Sequence, residues 1–205
     1  MKERGRPRIV QDDVILSAAL KGFAELGYEG LSLRSLSAGL GLSHSAVGQR
    51  YATKDNLFRH AVAAGFDSLF SAIGAARAEW PEQLEDLEEL RALIHSFLTA
   101  AATFPALGQL MNREGVEQSD RLDYIFETVI LPQISPLIEL LDRLRAEKLI
   151  YLIPTRSLFF LVAHGAEAPF TLRGFSAEFD PYDGELDVRS HIEVMTDFVM
   201  RAIKL

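Results

Sequence analysis

Apolar positions recur along nearly the whole chain at three- and four-residue intervals, the period of helices that bury one face. Ile15, Ala19, Phe23 and Leu26 form the first stripe and predict an amphipathic helix over residues 12–26, stopped at Gly27. Ser32 precedes Leu33, Leu36 and Leu40, so a two-turn helix with a hydroxyl N-cap is expected, ending at Gly41. Ser43 reads as the cap of a third short helix reaching about Tyr51. Thr53 reads as the cap of a long one, in which Leu57, Ala61, Ala64 and Leu69 point inward as far as about residue 76. Helices this short cannot stand alone, so these first elements are expected to pack as one cluster.

Farther along, prolines at 81, 105, 132, 154 and 181 are expected to divide the chain into helices over residues 83–103, 106–112, 121–131, 133–148, 155–171 and 185–203. Residues 173–184, with Gly174, Pro181 and Gly184, read as a loop. No strand alternation extends past four residues and no repeat is present. The expected fold class is all-α.

The 205 residues are 48% apolar and 24% charged, which sets aside disordered, collagen-like and disulfide-scaffold classes. The absence of cysteine removes thiol catalysis, cysteine-held zinc and disulfides, and it fits a reducing cytoplasm. No run approaches eighteen uninterrupted apolar residues, and the basic N-terminus continues into Gln11-Asp12-Asp13 rather than a signal-peptide core. A cytoplasmic protein with no membrane partner is expected. The net charge of −8 is unevenly placed: residues 1–60 carry +3 and residues 61–205 carry −11. A basic head on an acidic body suggests one module that meets phosphates and another that does not.

Within the head, Leu36, Leu40 and Leu42 flank Gly41, and Val47 and Tyr51 follow at helical spacing. This is the spacing of a helix-turn-helix, and also of an ordinary helical hairpin with a wet outer face. The seam leaves His44, Ser45, Gly48 and Gln49 outward with Arg50 at its margin, side chains able to bond base edges or phosphates. Upstream, Arg4, Arg6 and Arg8 form an extended arginine segment of the kind that enters narrow minor grooves.

The stretches Gly27-Tyr28-Glu29-Gly30-Leu31-Ser32-Leu33-Arg34-Ser35-Leu36, Gly41-Leu42-Ser43-His44-Ser45-Ala46-Val47 and Tyr51-Ala52-Thr53-Lys54-Asp55-Asn56-Leu57 resemble the DNA-binding module of the TetR family of transcriptional repressors. The resemblance covers about the first quarter of the chain. It implies that Ser32 caps the first helix of the motif and that Arg34 reaches phosphate or a base. It places Ser43, His44 and Ser45 at the start of the recognition helix, Gln49 and Arg50 on its second turn, and Lys54 beside a phosphate. Two positions depart from the family's pattern: Gly48, where a tyrosine is common, and Ala52, where a proline is common. Two units are therefore expected: residues 1–56, an arm with a helix-turn-helix, and residues 57–205, a helical ligand-binding and dimerisation domain.

In the body, Leu158-Phe159-Phe160-Leu161-Val162-Ala163 is apolar on every side and must be covered all round. The last helix shows a stripe of Val188, Ile192, Met195, Val199 and Ala202, and the resemblance implies that the final two helices pair with their copies in a dimer. Candidate lining for a ligand pocket is Phe97, Leu110, Met111, Tyr124, Thr128, Phe160 and His164, aromatic and thioether surface with two polar handles. His164 and Glu167 stand three apart on a helix, but His95 and His164 lack partners at metal-ligand spacing, so neither metal nor cofactor is expected. No G-x-S-x-G, phosphate-cradling glycine loop or H-E-x-x-H is present, which speaks against an enzyme. The expected function is a homodimeric repressor, released from a palindromic double-stranded operator by a small, largely apolar molecule. The alternative is an architectural or partner-controlled DNA binder without such an effector.

Overall fold

The computed structural model of the chain describes residues 10–81 and 83–205. Helix α1 (Asp12–Gly30) is interrupted at Gly27, whose φ of +77° ends the regular helix where the sequence places the stop, and one further turn follows. Ser32 opens α2 (Leu33–Gly39) through a capping box. Its Oγ accepts from the Ser35 N–H at 3.0 Å, and the Ser35 Oγ accepts from the Ser32 N–H at 3.1 Å. Gly41, at φ +67°, reverses the chain.

Helix α3 (Ala46–Tyr51) starts later than the sequence suggests. Residues 44 and 45 form a turn, and the Ser43 carbonyl rather than its hydroxyl accepts from the Ala46 N–H, at 3.0 Å. Thr53 caps α4 (Lys54–Arg77) as expected, its Oγ1 accepting from the Asn56 N–H at 3.1 Å. This helix runs unbroken past residue 56. It carries Leu57 and Phe58 into the head and Phe66 and Leu69 into the body.

The body begins with α5 (Asp86–Thr103), whose first-turn carboxylates suit the positive end of the helix dipole. Pro105 starts α6 (Pro105–Glu114) at a 92° bend from α5. Then α7 (Asp120–Asp123), a π-helical stretch Tyr124–Ile130, and α8 (Leu131–Ala146) form one continuous rod, so Pro132 does not break the chain into two helices. The reason is the π turn. The Leu131 N–H bonds the Phe126 carbonyl five residues back, and Pro132 falls in the first turn of the ladder that follows, where the missing N–H costs little.

The segment expected as one helix over residues 155–171 is three pieces: α9 (Thr155–Phe160), a second π turn Leu161–Ala166, and α10 (Ala168–Thr171). The residues read as a loop form two short helices, α11 (Arg173–Ala177) and α12 (Asp180–Asp183), with Pro181 in the opening turn of the second. Helix α13 (Val188–Ile203) closes the chain, capped by Asp187. Among the described residues the one β contact is an antiparallel bridge between Ile150 and Lys204.

Two apolar cores result. One joins α1–α4 to α6 and the first π stretch around Phe23, Phe58, Leu110 and Ile125; the other joins α5, α8, α9, α10 and α13 around Leu90, Leu98, Leu144 and Val199. Phe97 packs against both. The rod Asp120–Ala146 is long and apolar enough by length and composition to cross a membrane, and it sets Ile125, Ile130, Leu140, Leu141 and Leu144 into these cores.

Candidate nucleic-acid interface and body cavity

The α2–α3 pair is fastened by a residue that carried no sequence signal beyond its place on an inner face. Ser37 is fully buried; its hydroxyl donates to the Leu33 carbonyl at 2.8 Å and accepts from the Val47 N–H at 3.3 Å. Val47 and Tyr51 bury the inner side of α3, which turns Ser43, His44, Ser45, Gln49 and Arg50 outward, while Ser32 and Arg34 are exposed on α2. The Gln49 Nε2 donates to the Ser45 Oγ at 3.3 Å, holding the amide along the outer face of its own helix.

Arg50 and Lys54 are less free than the sequence suggests. The Arg50 Nη1 donates to the Val10 carbonyl at 2.6 Å and lies 3.0 Å from the Asp12 carboxylate. The Tyr51 hydroxyl donates to Asp12 at 3.2 Å; burial pushes that phenol up to about 12, and the Asp12 carboxylate adds to the shift. The root of the N-terminal segment is thus tied to the second turn of α3. Lys54 is half-buried, with its Nζ 4.4 Å above the Tyr28 ring and 3.7 Å from Glu29. Arg4, Arg6 and Arg8 lie outside the described residues.

Both departures from the family pattern have a local geometry. A Cβ on Gly48 would meet only the Leu33 Cδ1, at 3.8 Å, so packing does not require the glycine. Ala52 has φ +60° and ψ −54°, and the Thr53 N–H bonds the Tyr51 carbonyl across it at 2.6 Å, a three-residue turn of the strained, positive-φ kind. Proline, locked near −65°, cannot adopt this turn.

The body holds a partly open cavity of about 220 Å³, walled by α4, α5, α6, α8, α9 and the second π turn. Of the sequence-predicted lining, Phe97, Met111 and His164 face it. Four do not. Leu110 is fully buried in the first core. Tyr124 turns to the first turns of α4, its hydroxyl donating to the Arg59 carbonyl at 3.3 Å and its ring under the Arg59 guanidinium. Thr128 is exposed, because the π stretch rotates it off the face that an α-helical period assigns. Phe160 is 53% exposed while Phe159 lines the cavity, a choice that an all-apolar helix does not announce.

The cavity also has a carboxylate, Glu167, which in the sequence stands only as the i+3 partner of His164. Glu167 is 5% exposed and lines the wall, and burial raises its carboxyl to about 7. Its signal was an acid inside the apolar run Gly165-Ala166-Glu167-Ala168-Pro169-Phe170. Nearby, the His164 Nδ1–H donates to the Asn112 Oδ1 at 2.8 Å, and burial lowers the His164 pKa. No group of three potential metal ligands exists among the described residues.

The stripe on α13 divides. Ile192 and Val199 are inside the chain's own second core, because that face of α13 packs on α5 and the second π turn. Val188 and Ala202 are exposed and Met195 is half-buried, and the apolar side chains standing out from the helix are Val194 and Phe198.

Residues 15–61 match the family model described as bacterial regulatory proteins, tetR family. No curated protein matches the chain significantly. Solved structures do. The ketosteroid transcriptional regulator KstR2 of Mycobacterium tuberculosis is similar at 16% identity and a TM-score of 0.69, over 98% of this chain and 100% of that one. A TetR family transcription regulator from Marinobacter aquaeolei VT8 is similar at 17% identity and 0.68, over 93% of each chain. The fatty acid degradation regulator FadR from Bacillus halodurans is similar at 15% identity and 0.64, over 93% and 98%. At these identities the likeness shows a shared fold.

Proposed function

We propose, from the match of residues 15–61 to the model of the tetR family of bacterial regulatory proteins, that the protein is a homodimeric, ligand-responsive repressor acting on double-stranded DNA in the cytoplasm through an N-terminal helix-turn-helix. The observation that carries the reading is one exposed face, made by Ser43, His44 and Ser45 in the turn that leads into α3 and by Gln49 on α3 itself, on a helix pinned by buried Val47, Tyr51 and Ser37. Such a helix can enter a major groove as a rigid unit. Residues 1–56 form the reading head and residues 57–205 the effector and dimer domain, with α4 passing between them.

The dimer forms through the outward side of α13 and the end of α9, where Val194, Phe198 and Phe160 stand exposed, so that two heads read two half-sites. An effector in the cavity touches α4 at Phe66 and Leu69 and α6 at Leu107 and Met111. Helix α4 carries Leu57 and Phe58 into the head, and α6 packs on α1, so a ligand that spreads these helices changes the spacing of the heads. Its effect is bounded by its differential affinity for the two spacings. The apolar cavity between these helices favours this reading over an architectural DNA binder, whose body needs no internal site.

The test is selection of bound fragments from genomic DNA, followed by binding to a library of single-base operator variants. Gln49→Ala should lower affinity for the cognate site and relax preference at one base position per half-site, by about 1–3 kcal/mol. Lys54→Ala should weaken all sequences alike, since phosphate carries no base information. Equal, position-independent losses for both would show that α3 does not read bases.

A further inference from the structure

The cavity wall is hydrocarbon and aromatic almost throughout, and Glu167 is the single ionisable carboxylate in it. Among the described residues neither a hydrogen-bond donor nor a cation reaches its side chain. On its own element, His164 bonds Asn112; from α13, His191 bonds the Ala166 carbonyl. From α6, Gln109 donates to the Thr171 carbonyl and Arg113 to the Glu25 carbonyl, and the α4 and α5 residues in the wall are all apolar. The Arg145 guanidinium behind Thr155 is engaged by Asp142, Thr155 and the Ile153 carbonyl. The site for the carboxylate is nevertheless shaped to it: a Cβ on Gly108 would stand 1.8 Å from the Glu167 Oε1, so only glycine there leaves the acid its place.

A buried carboxylate with no partner is costly unless it is protonated or something positive arrives. An anionic ligand would meet it unshielded, and a neutral hydrocarbon would bury it further. Resting on the reading of the cavity as an effector site, we propose that the effector is a small apolar cation whose charged nitrogen sits against Glu167 and whose hydrocarbon lies among Phe97, Met111 and Phe159. The volume suits one ring with a compact head group, since an apolar cavity of about 150 Å³ holds benzene. With the empty-state carboxyl raised to about 7, cation binding expels a proton near neutrality.

The probe pair is benzyltrimethylammonium and its uncharged isostere neopentylbenzene, titrated calorimetrically into the full chain and into Glu167→Gln. The wild-type affinity for the cation should rise about tenfold from pH 6 to pH 8, following ionisation of Glu167, while that for the isostere does not rise. Glu167→Gln should lose at least tenfold in cation affinity and keep its affinity for the isostere, which also reports that the cavity is intact. No cation binding, or the same ratio of the two ligands in both proteins, overturns the proposal. If the variant fails to fold, the wild-type pH series decides alone, and a flat series overturns it. DNA selection is scored separately: operator binding without cation binding removes this inference and leaves the regulator, and cation binding without operator binding does the reverse.

Discussion

The Arg121 guanidinium lies over the Tyr28 ring with its central carbon 4.2 Å from the ring centroid, so a residue of the body's long rod caps an aromatic residue of the DNA-binding head. Tyr28 stacks on Phe23 and meets Phe58 edge-on, which makes it part of the head's core. The Arg121 Nε also donates to the Glu114 Oε2 at 2.8 Å, and that side chain is only 4% exposed. Head and body thus share one charge-and-ring joint, and Arg113 forms a second by donating to the Glu25 carbonyl at 3.1 Å.

Arg121→Ala should destabilise the protein by about 1–3 kcal/mol, because it leaves Glu114 buried without its donor. Adding Glu114→Gln should recover part of that loss. Denaturant unfolding of the single and double variants checks this. A loss unchanged by the second substitution would assign the cost to the Tyr28 contact alone.

On α13, Phe198→Glu and Val199→Glu should behave differently although they are neighbours. Phe198 is 57% exposed, so its replacement should give folded monomers in sedimentation and lower operator affinity. Val199 is fully buried, so a charge there should unfold the body rather than separate two subunits. A Phe198→Glu protein that remains dimeric would place the interface elsewhere.

Two substitutions in the head should raise stability. Ala52→Gly relieves the positive-φ turn, and the net gain should be about 1 kcal/mol after the added chain entropy of glycine. Gly48→Ala should gain about 1 kcal/mol of helix propensity, since the new methyl meets open space apart from Leu33 at 3.8 Å. Thermal melts would read both, and a destabilised Gly48→Ala would mean the backbone there is under a constraint other than packing.

Glu167 should impose a pH dependence on stability. Its carboxyl is raised to about 7 in the folded chain from an ordinary value of 4.5, so its neutral form favours folding at low pH. That contribution is complete below 4.5 and is lost as pH rises to 7, by about 3 kcal/mol at most. Glu167→Gln should therefore match the wild type at pH 4 and exceed it at pH 8. Parallel stability curves across this range would show that the acid is solvated.

Local sequence determined the head. Caps at Ser32 and Thr53, the breaks at Gly27 and Gly41, and the inward Val47 and Tyr51 are all fixed by side-chain hydrogen bonds, glycine dihedrals and helical period within a few residues. The same short-range rules determined the helical class of the body. They did not determine which way its side chains face. The π turns at Tyr124–Ile130 and Leu161–Ala166 shift the period for Thr128 and carry the chain past Pro132, and nothing in the pattern marks them, because tertiary packing selects that hydrogen-bond register. Ile192 and Val199 look the same in sequence whether they meet their own chain or a copy, and only the path of α13 over α5 and the second π turn chose the first. Glu167 stands out in sequence only as an acid inside an apolar run, and its burial in a cavity wall is decided by the packing of α4, α5, α6 and α8.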